Sequence, residues 1–363
     1  MKILHLIPTL EGGGAERQLA LLAIEQARRG MEVHVASRRF GVHKSSLCQN
    51  GVTLHSLGDW RSLNPLLFFC IKALLHRLRP TIVQTWLTQM DIVGGAAALM
   101  FGVPWIGTER SNALFYRNRH MVLESFLREL LFKRATAIVT NSALAATQWQ
   151  RKLPHNVTVF AVSNAIDVPE ILRNAARPML VDPCIPPLIL VVGRLIPSKG
   201  LDVVIQALKK LSLSQSFIAR IIGDGPLRNH INQSIQYLDL SNRISVLPYS
   251  TAWWAHMSEA SMLISMSRVE GQPNVVLESM AAACPLIVSD IPSHREILDE
   301  SSTIFVPQDD VEKLVIAVKS VIASPEESRV RASQARLRAE AFTVINMTNT
   351  YDTIYRNAVK KVT

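Results

Sequence analysis

The sequence predicts an α/β protein of two doubly wound, Rossmann-like domains that face a central cleft. Its 363 residues exceed one ordinary domain and suit two domains of roughly 150 residues each. In both halves, short apolar segments alternate with amphipathic helical segments, the pattern of a parallel sheet covered on both faces. Such sheets bind ligands at the carboxyl ends of their strands, so we expect the site there.

The first half begins with a predicted strand, Lys2–Ile7, followed by a glycine turn and a helix from about Glu16 to Arg29. Gly30 ends this helix, because glycine adopts the left-handed C′ conformation without a steric penalty. Five more strands are expected in this half, at Glu32–Ser37, Val52–Ser56, Ile82–Thr85, Trp105–Thr108 and Ala137–Thr140.

The second half repeats the alternation. Its predicted strands are Leu188–Val192, Phe217–Ile222, Ile244–Leu247, Met262–Ser265, Leu286–Ser289 and Ile304–Val306. Its predicted helices are Leu201–Leu211, Leu227–Tyr237, one from about Val275, Asp310–Ala323, and one from Glu326 to about Glu340. Segment 167–187 holds five prolines without a clear period and is interpreted as a linker. The domains would then be residues 1–166 and 188–344, with residues of about 345–363 packing back on the first.

The composition excludes several classes of protein. With 48% hydrophobic and 19% charged residues, the chain is neither disordered nor fibrous. The four cysteines are scattered without a C-x-x-C pair, which argues against a disulfide framework or a zinc site and favours buried free thiols. The N-terminal apolar segment is too short for a secretory leader, and Met90–Val103 contains Asp91 and reads as a core helix. We therefore expect a soluble or peripheral cytoplasmic protein.

The positive charge is confined to the first half. Residues 1–180 hold 21 Lys and Arg against 11 Asp and Glu, whereas the remaining residues hold 18 of each kind. This asymmetry predicts an anionic partner for the N-terminal half: anionic lipid headgroups, a phosphate-bearing acceptor or nucleic acid.

Three motifs in the second half carry the chemistry. The segment Gly193–Gly200 places Arg194 and Lys199 on a loop after a strand, where a guanidinium and an ammonium suit two phosphate groups, although a solvated surface pair is the plainer interpretation. The turn Gly223–Pro226 lets backbone approach a ligand, but an ordinary strand-to-helix turn explains it equally well.

The third motif is Glu270–Glu278. Gly and Pro open a turn before a helix that starts near Asn274, a possible N-cap, and the amides of that helix start favour a diphosphate. Glu278, one turn inside, suits paired ribose hydroxyls, or merely complements the helix dipole. The dipole does not account for Glu270, which precedes the turn.

Together these motifs resemble those of the family 4 retaining glycosyltransferases, which have the GT-B fold. The shared pattern reads G-R-L-x-x-x-K-G, then G-D-G-P, then E-G-x-P-N-V-x-x-E-x-M-A, with the E-x7-E spacing met by Glu270 and Glu278. In the first half, Gly12–Gln18 resembles the family's glycine turn and Ser163–Asp167 its N-x-[IV]-D motif. The resemblance covers essentially the whole chain.

The resemblance implies residue roles. Arg194, Lys199 and Glu270 would be catalytic, the two cations holding the donor diphosphate and Glu270 contacting the transferred sugar. The remaining donor-binding positions would be Gly13 and Gly14 from the opposite domain, Leu247 against the base, the helix start Gly271, Pro273, Asn274 and Val275, and Glu278 on the ribose. No D-x-D motif occurs, so the resemblance implies a metal-independent enzyme with no cofactor.

The implied activity is transfer of a sugar from a nucleoside-diphosphate sugar to a lipid-linked or glycan acceptor in surface polysaccharide or lipopolysaccharide synthesis. UDP is the expected nucleotide. The first domain would bind the acceptor and the second the donor. One departure is Gln89, which stands near the position of a family histidine. Another is Ala283, where glycine is usual and a packing change is expected. The glycine turn fails G-x-G-x-x-G, and no P-loop motif occurs.

The segment Arg110–Arg134 holds six cations interleaved with aromatic residues. It predicts either a patch that docks on an anionic membrane, with the loop Leu114–His120 as the better candidate, or an ordinary amphipathic helix at Leu123–Phe132. The location would be the inner face of the cytoplasmic membrane. Two other functions remain open: a non-catalytic nucleotide-sugar or nucleic-acid binding module, and a GT-B relative that performs phosphorolysis or epimerisation. No nucleic-acid scaffold is recognisable, so no nucleic-acid partner is expected.

Overall fold

A computed structural model describes residues 1–59, 65–110, 119–175, 185–250 and 253–361, except for the side chains of residues 119–121. The chain divides into two compact units. The first comprises Met1–Ala165 together with Val344–Thr363, and the second comprises Ile166–Thr343.

The first unit contains a seven-stranded parallel sheet in the order β3-β2-β1-β4-β5-β6-β7. The strands are β1 Lys2–Leu10, β2 Glu32–Phe40, β3 Thr53–Ser56, β4 Ile82–Thr85, β5 Trp105–Glu109, β6 Ala137–Thr140 and β7 Thr158–Ala161. The helices are α1 Gly14–Arg28, α2 Lys44–Gln49, α3 Pro65–Leu78, α4 Leu87–Met100, α5 Arg119–Phe132 and α6 Ala143–Lys152.

The second unit contains a six-stranded parallel sheet in the order β10-β9-β8-β11-β12-β13. The strands are β8 Leu188–Val192, β9 Ile218–Ile222, β10 Ile244–Leu247, β11 Met262–Ser265, β12 Leu286–Ser289 and β13 Ile304–Val306. The helices are α7 Val168–Ala175, α8 Leu201–Leu211, α9 Arg228–Tyr237, α10 Asn274–Ala281, α11 Pro292–Arg295, α12 Val311–Ala323 and α13 Pro325–Ala339. A final helix, α14 Val344–Lys360, belongs to the first unit.

The strand order of each sheet reverses at one point. In the first sheet the reversal lies between β1 and β4, and in the second between β8 and β11. Connections from two neighbouring strands leave in opposite directions there, so a crevice opens at the carboxyl ends. The prediction of two doubly wound parallel sheets is confirmed, and the second reversal falls where Arg194 and Glu270 leave their strands.

Apolar side chains cover both faces of each sheet. In the first unit, one face is completed by α14, whose Tyr351 and Tyr355 are fully buried among residues of β1, β4 and α1. The opposite face packs against α3 and α4. In the second unit, α8 and α12 cover one face, while α10 and α13 cover the other.

The structure corrects some sequence-based expectations. The linker segment is partly helical, since α7 starts directly after Asp167. The Asp167 carboxylate accepts a hydrogen bond from the Glu170 amide at 3.0 Å. The side chain of Ile171 in α7 is completely buried. Residues 176–184 of that segment lie outside the described residues. Cys48 and Cys70 are exposed rather than buried, whereas Cys284 is buried. No described helix is long and apolar enough to cross a membrane.

Candidate active site

The loop after β8 carries the two predicted phosphate-binding cations. Arg194 follows Gly193 directly and is exposed, while Lys199 ends a short 3₁₀ turn, Pro197–Lys199. Gly200 then adopts φ 62°, and a Cβ atom there would lie 2.1 Å from the carbonyl oxygen of Met266. Only glycine therefore allows this loop to pack against the segment after β11. Arg194 and Lys199 line one pocket together with Ser267.

Lys199 and Glu270 form the central ion pair of the site. The ammonium of Lys199 donates to the Glu270 carboxylate, and the Ser267 hydroxyl donates to the same carboxylate at 2.7 Å. Burial raises the pKa of Glu270, but the charge of Lys199 and these hydrogen bonds outweigh it, so the pKa lies below its usual value. Glu270 is thus ionised at neutral pH.

A chain of hydrogen bonds supports this pair from β12. The Ser289 hydroxyl donates to the Ser267 carbonyl at 2.5 Å, and the buried His294 donates from Nδ1 to the Ser289 carbonyl at 2.8 Å. Burial lowers the pKa of His294, which keeps the imidazole neutral. Its Nε2 is buried without a hydrogen-bond partner among the described residues. Sequence reasoning missed His294, because nothing in its spacing links it to Glu270.

Arg268 was also missed, although it fixes the Lys199 loop. Its amide donates to the Ser198 carbonyl at 2.8 Å, and its guanidinium donates to the Pro197 carbonyl at 2.6 Å. The same guanidinium pairs with Asp202 and Asp309, each at 2.7 Å. These hydrogen bonds raise the pKa of Arg268 above its ordinary value. A single side chain therefore ties the loop after β8 to the segment that precedes Glu270.

Helix α10 begins immediately beyond Glu270. Pro273 is its N-cap and Asn274 its first residue, so the expectation that Asn274 is the N-cap is wrong. The partly buried Gly271, Asn274 and Val275 lie at this helix start. The positive end of a helix dipole favours anions, so the start of α10 can receive a phosphate oxygen.

Glu278 lies inside α10 and is only 2% exposed. Its Oε2 accepts a hydrogen bond from the indole N–H of Trp254 at 2.9 Å. The structure thus brings Arg194 and Lys199 to one pocket, pairs Lys199 with Glu270, and buries the Glu278 carboxylate against Trp254.

The turn Gly223–Pro226 packs directly on the loop after β8. A Cβ atom on Gly223, at φ 156°, would lie 1.9 Å from the carbonyl oxygen of Gly193. The Leu195 amide also donates to the Asp224 carbonyl at 2.9 Å. Leu247, predicted to meet the base, ends β10 beside this turn and accepts a hydrogen bond from the Gly223 amide at 3.1 Å. The turn is thus a structural support of the Arg194 loop.

In the first unit, Gly13 and Gly14 lie at the reversal between β1 and β4. Gly13 is the N-cap of α1 and Gly14 its first residue. The amides of Gly12 and Gly13 both donate to the carboxylate of Glu16, which also accepts a hydrogen bond from Thr9. Glu16 is only 6% exposed and holds the turn as the N3 acid that accepts from the N-cap amide, which is half of a capping box because Gly13 has no side chain to complete it. The sequence motif contained Glu16 but did not indicate this role.

Two other predicted features of the first unit have definite positions. Gln89 lies in the first turn of α4, and its Nε2 is buried without a hydrogen-bond partner among the described residues. Segment 123–132 is helical, but Arg128, counted among its surface cations, is 2% exposed and pairs with Asp91 and Glu109. It is therefore a core residue. The loop proposed to meet a membrane lies outside the described residues up to position 118.

Potential metal ligands were also compared over the described part of the chain. No group of three or more His, Cys, Asp or Glu residues there is placed to hold a metal ion.

Two protein families match the two halves. The family described as Glycosyltransferase Family 4 matches residues 12–170, and the one described as Glycosyl transferases group 1 matches residues 180–338. Together they cover most of the chain, and each covers the larger part of one structural unit.

Individual relatives agree with the family matches. An N-acetylgalactosamine-N,N'-diacetylbacillosaminyl-diphospho-undecaprenol 4-alpha-N-acetylgalactosaminyltransferase of Campylobacter jejuni is 26% identical over 62% of this chain and 61% of its own length. The lipopolysaccharide core biosynthesis glycosyltransferase LpsD of Rhizobium meliloti is 23% identical over 99% of this chain and 100% of its own.

A solved structure shares the fold over nearly its whole length. Anabaena Alr3699/HepE, in complex with UDP and glucose, superposes with a TM-score of 0.81 over 97% of this chain and 98% of its own, at 18% identity. Both sheets, both family matches and the motif order therefore lead to one assignment. The chain belongs to the family 4 glycosyltransferases and has the GT-B fold.

Proposed function

We propose that this glycosyltransferase moves a sugar, with retention of configuration, from a nucleoside-diphosphate sugar to a lipid-linked or glycan acceptor in surface polysaccharide or lipopolysaccharide synthesis. UDP is the proposed nucleotide. The names of the Campylobacter and Rhizobium relatives, which describe a diphospho-undecaprenol acceptor and lipopolysaccharide core synthesis, support this choice of acceptor class. The UDP complex of the Anabaena protein supports the choice of nucleotide.

In this proposal the second unit binds the donor. Arg194 and Lys199 hold the diphosphate together with the first amides of α10, and Glu270 contacts the transferred sugar. The single observation that carries the proposal is the placement of the Arg194–Lys199 loop against the Glu270 segment, at the point where the strand order reverses. Cations and a helix start suit the charge that develops on a departing diphosphate.

The proposed step breaks the bond between the sugar C1 and the diphosphate oxygen. A bond from C1 to the acceptor oxygen forms on the same face, and the acceptor proton passes to an oxygen of the departing phosphate. The nucleoside diphosphate leaves with its negative charge balanced by Arg194 and Lys199. No side-chain base and no metal ion are required in this proposal.

Binding of a panel of UDP-, GDP-, TDP- and ADP-sugars provides the first test. A donor at 100 times its dissociation constant should stabilise the protein by roughly 2.7 kcal/mol, which raises its melting temperature.

Release of the nucleoside diphosphate in the presence of a polyprenyl-diphosphate-linked glycan should then distinguish the enzyme from a non-catalytic binding module. Retained activity with EDTA and an unchanged anomeric configuration of the product would support the proposed step. A panel without any thermal shift would contradict it.

We also propose that the first unit docks on the cytoplasmic face of an anionic membrane. Three exposed apolar side chains follow each other at intervals of four residues on α5: Val122, Phe126 and Leu130, at 63%, 64% and 53% exposure. Lys133 and Arg134 are exposed just beyond them. An apolar stripe beside cations suits anionic headgroups above an acyl layer, and the excess positive charge of the first 180 residues favours the same surface.

Sedimentation with vesicles tests this docking. The protein should bind phosphatidylglycerol vesicles more strongly than phosphatidylcholine vesicles, and Phe126→Ser with Leu130→Ser should weaken that binding. The matched control is Ile316→Ser, which replaces an apolar side chain of 65% exposure on α12 of the second unit. Equal binding to both vesicle types, or equal loss in the control, would argue against docking through α5.

A further inference from the structure

We infer that Trp254 is a positioning residue for nucleotide recognition: its indole N–H orients the Glu278 carboxylate toward the ribose hydroxyls of the donor. This inference rests on the proposed function, in which the second unit binds a nucleoside diphosphate and Glu278 meets its ribose. It adds a residue that lies on a different element and in none of the motifs that relate the chain to its family.

The contact joins two separate elements. Trp254 belongs to the 3₁₀ turn Trp253–Ser258, and Glu278 to α10, 24 positions later. Both side chains are buried, at 5% and 2% exposure, and the indole nitrogen lies 2.9 Å from Oε2 of the carboxylate. The indole N–H is a donor only, so its partner in the interior must be an acceptor such as this carboxylate. The pair therefore fixes which oxygen of Glu278 faces the turn.

Burial makes this hydrogen bond important for the orientation of Glu278. A carboxylate removed from water needs donors on its oxygens, and charge-assisted hydrogen bonds are stronger than neutral ones. Trp254 also packs in the apolar cluster that contains Met257, Leu277 and Met280, which restricts its rotamer. The packed indole fixes the position of Oε2, and this fixes the plane of the carboxylate. Recognition of two vicinal hydroxyls requires such a fixed plane.

The two acids of the E-x7-E motif thereby have different fixed donors. Glu270 is held by Lys199 and Ser267, whereas Glu278 is held by Trp254. Each carboxylate therefore has its own support, and the Trp254 contact concerns the ribose side of the donor alone. A purely structural tie between the turn and α10 predicts lower stability without any change in ribose selectivity, which makes the two roles separable.

The test compares ribose selectivity in the wild type and in variants of Trp254, Glu278 and Trp253. Dissociation constants for UDP, 2′-deoxy-UDP and 3′-deoxy-UDP are measured by calorimetry in the wild type, Trp254→Phe, Glu278→Gln and Trp253→Phe. Trp253 is the neighbouring tryptophan of the same turn, at 2% exposure, so its replacement controls for lost packing. The wild type should prefer UDP by about tenfold or more over each deoxy compound, the ratio expected for one charge-assisted hydrogen bond.

Trp254→Phe and Glu278→Gln should both lose this preference, and Trp253→Phe should keep it. Trp254→His, which retains a ring N–H, should recover part of it and guards against a folding defect in the phenylalanine variant. If folded Trp254→Phe keeps the preference for UDP while Glu278→Gln loses it, the role of Trp254 is overturned and the ribose contact of Glu278 stands. Undiminished preference in Glu278→Gln overturns the ribose contact and this inference with it. A wild type that binds none of UDP, GDP, TDP and ADP contradicts the proposed function itself.

Discussion

The Lys199 ammonium and the Glu270 carboxylate are paired across two loops that leave neighbouring strands of the second sheet. The Lys199 and Glu270 side chains are 22% and 14% exposed, and the Ser267 hydroxyl donates to the Glu270 carboxylate. Charges fixed in this way before a ligand arrives need little reorganisation during a reaction. The pair is therefore the first target for mutation.

Lys199→Ala should reduce transfer of the sugar by at least about 100-fold, because loss of one preorganised donor at a developing charge has effects of this order. Glu270→Gln should reduce turnover similarly and leave Lys199 without its counter-ion. Initial rates with saturating donor provide the measurement. The matched control is Lys210→Ala, which breaks an exposed ion pair with Glu312 and should leave the rate unchanged. Comparable rates in Lys199→Ala and Lys210→Ala would contradict this role.

Arg268→Ala should raise the KM for the donor by on the order of tenfold, because the loop that carries Lys199 loses the guanidinium hydrogen bond to the Pro197 carbonyl, whereas the Arg268 amide bond to Ser198 stays. Its ion pairs are partly exposed, so the change in the free energy of unfolding should stay below about 1 kcal/mol. Arg295→Ala is the control, since Arg295 also has two acidic partners but lies at α11. An unchanged KM in Arg268→Ala would show that the Lys199 loop holds without it.

Arg128→Ala should destabilise the first unit by about 3–5 kcal/mol, because it leaves two carboxylates buried without their counter-ion. Arg128 pairs with Asp91 at 2.6 Å and with Glu109. Burial raises the pKa of Asp91 to about 6, and Arg128 opposes that rise. Chemical denaturation provides the measurement. Arg134→Ala, two residues after α5 at an exposed position, should change stability by less than about 0.5 kcal/mol.

His5 should make the first unit sensitive to acid. Trp86 donates to its Nδ1 at 3.2 Å and its Nε2 donates to Gln26 at 2.9 Å, an arrangement that requires a neutral ring. Burial lowers its pKa from 6.5 to about 4, against the raising effect of the Gln26 hydrogen bond. Between these values the unfolded chain binds more protons than the folded chain. The free energy of unfolding should therefore fall by roughly 3 kcal/mol as the pH drops from about 6.5 to about 4.

Urea unfolding at several pH values in this window checks the His5 prediction. His5→Asn should flatten the pH dependence relative to the wild type, whereas His230→Asn, at an exposed position, should leave it unchanged. Equal pH dependence in the wild type and His5→Asn would show that other groups govern acid sensitivity.

Local patterns were sufficient to predict most of the fold. Alternating apolar and amphipathic segments located twelve of the thirteen strands, although β1 continues past Pro8 to Leu10. The strand β7 was missed, because its four residues lack full burial and give a weak apolar signal. The helices α2, α3, α6, α7, α11 and α14 were not predicted either, and at α7 prolines dominate the composition of the neighbourhood.

The site was predictable only where its residues lie in short motifs. The loop of Lys199 and the turn of Glu270 each follow a strand, so parallel topology brings them to one edge of the sheet. Partners such as Trp254, His294 and Asp309 lie far from those motifs in sequence or in different elements, and no periodicity connects them. Their positions follow from the packing of whole elements, which residue spacing does not encode.

Helix α14 follows the entire second unit in the chain, yet its Tyr351, Ile354 and Tyr355 fill the core of the first. During synthesis on the ribosome, one apolar face of the first sheet therefore stays uncovered while about 180 later residues are added. The second unit is continuous and can complete its core earlier. Binding of chaperones to the nascent chain should consequently be strongest before α14 has emerged from the exit tunnel.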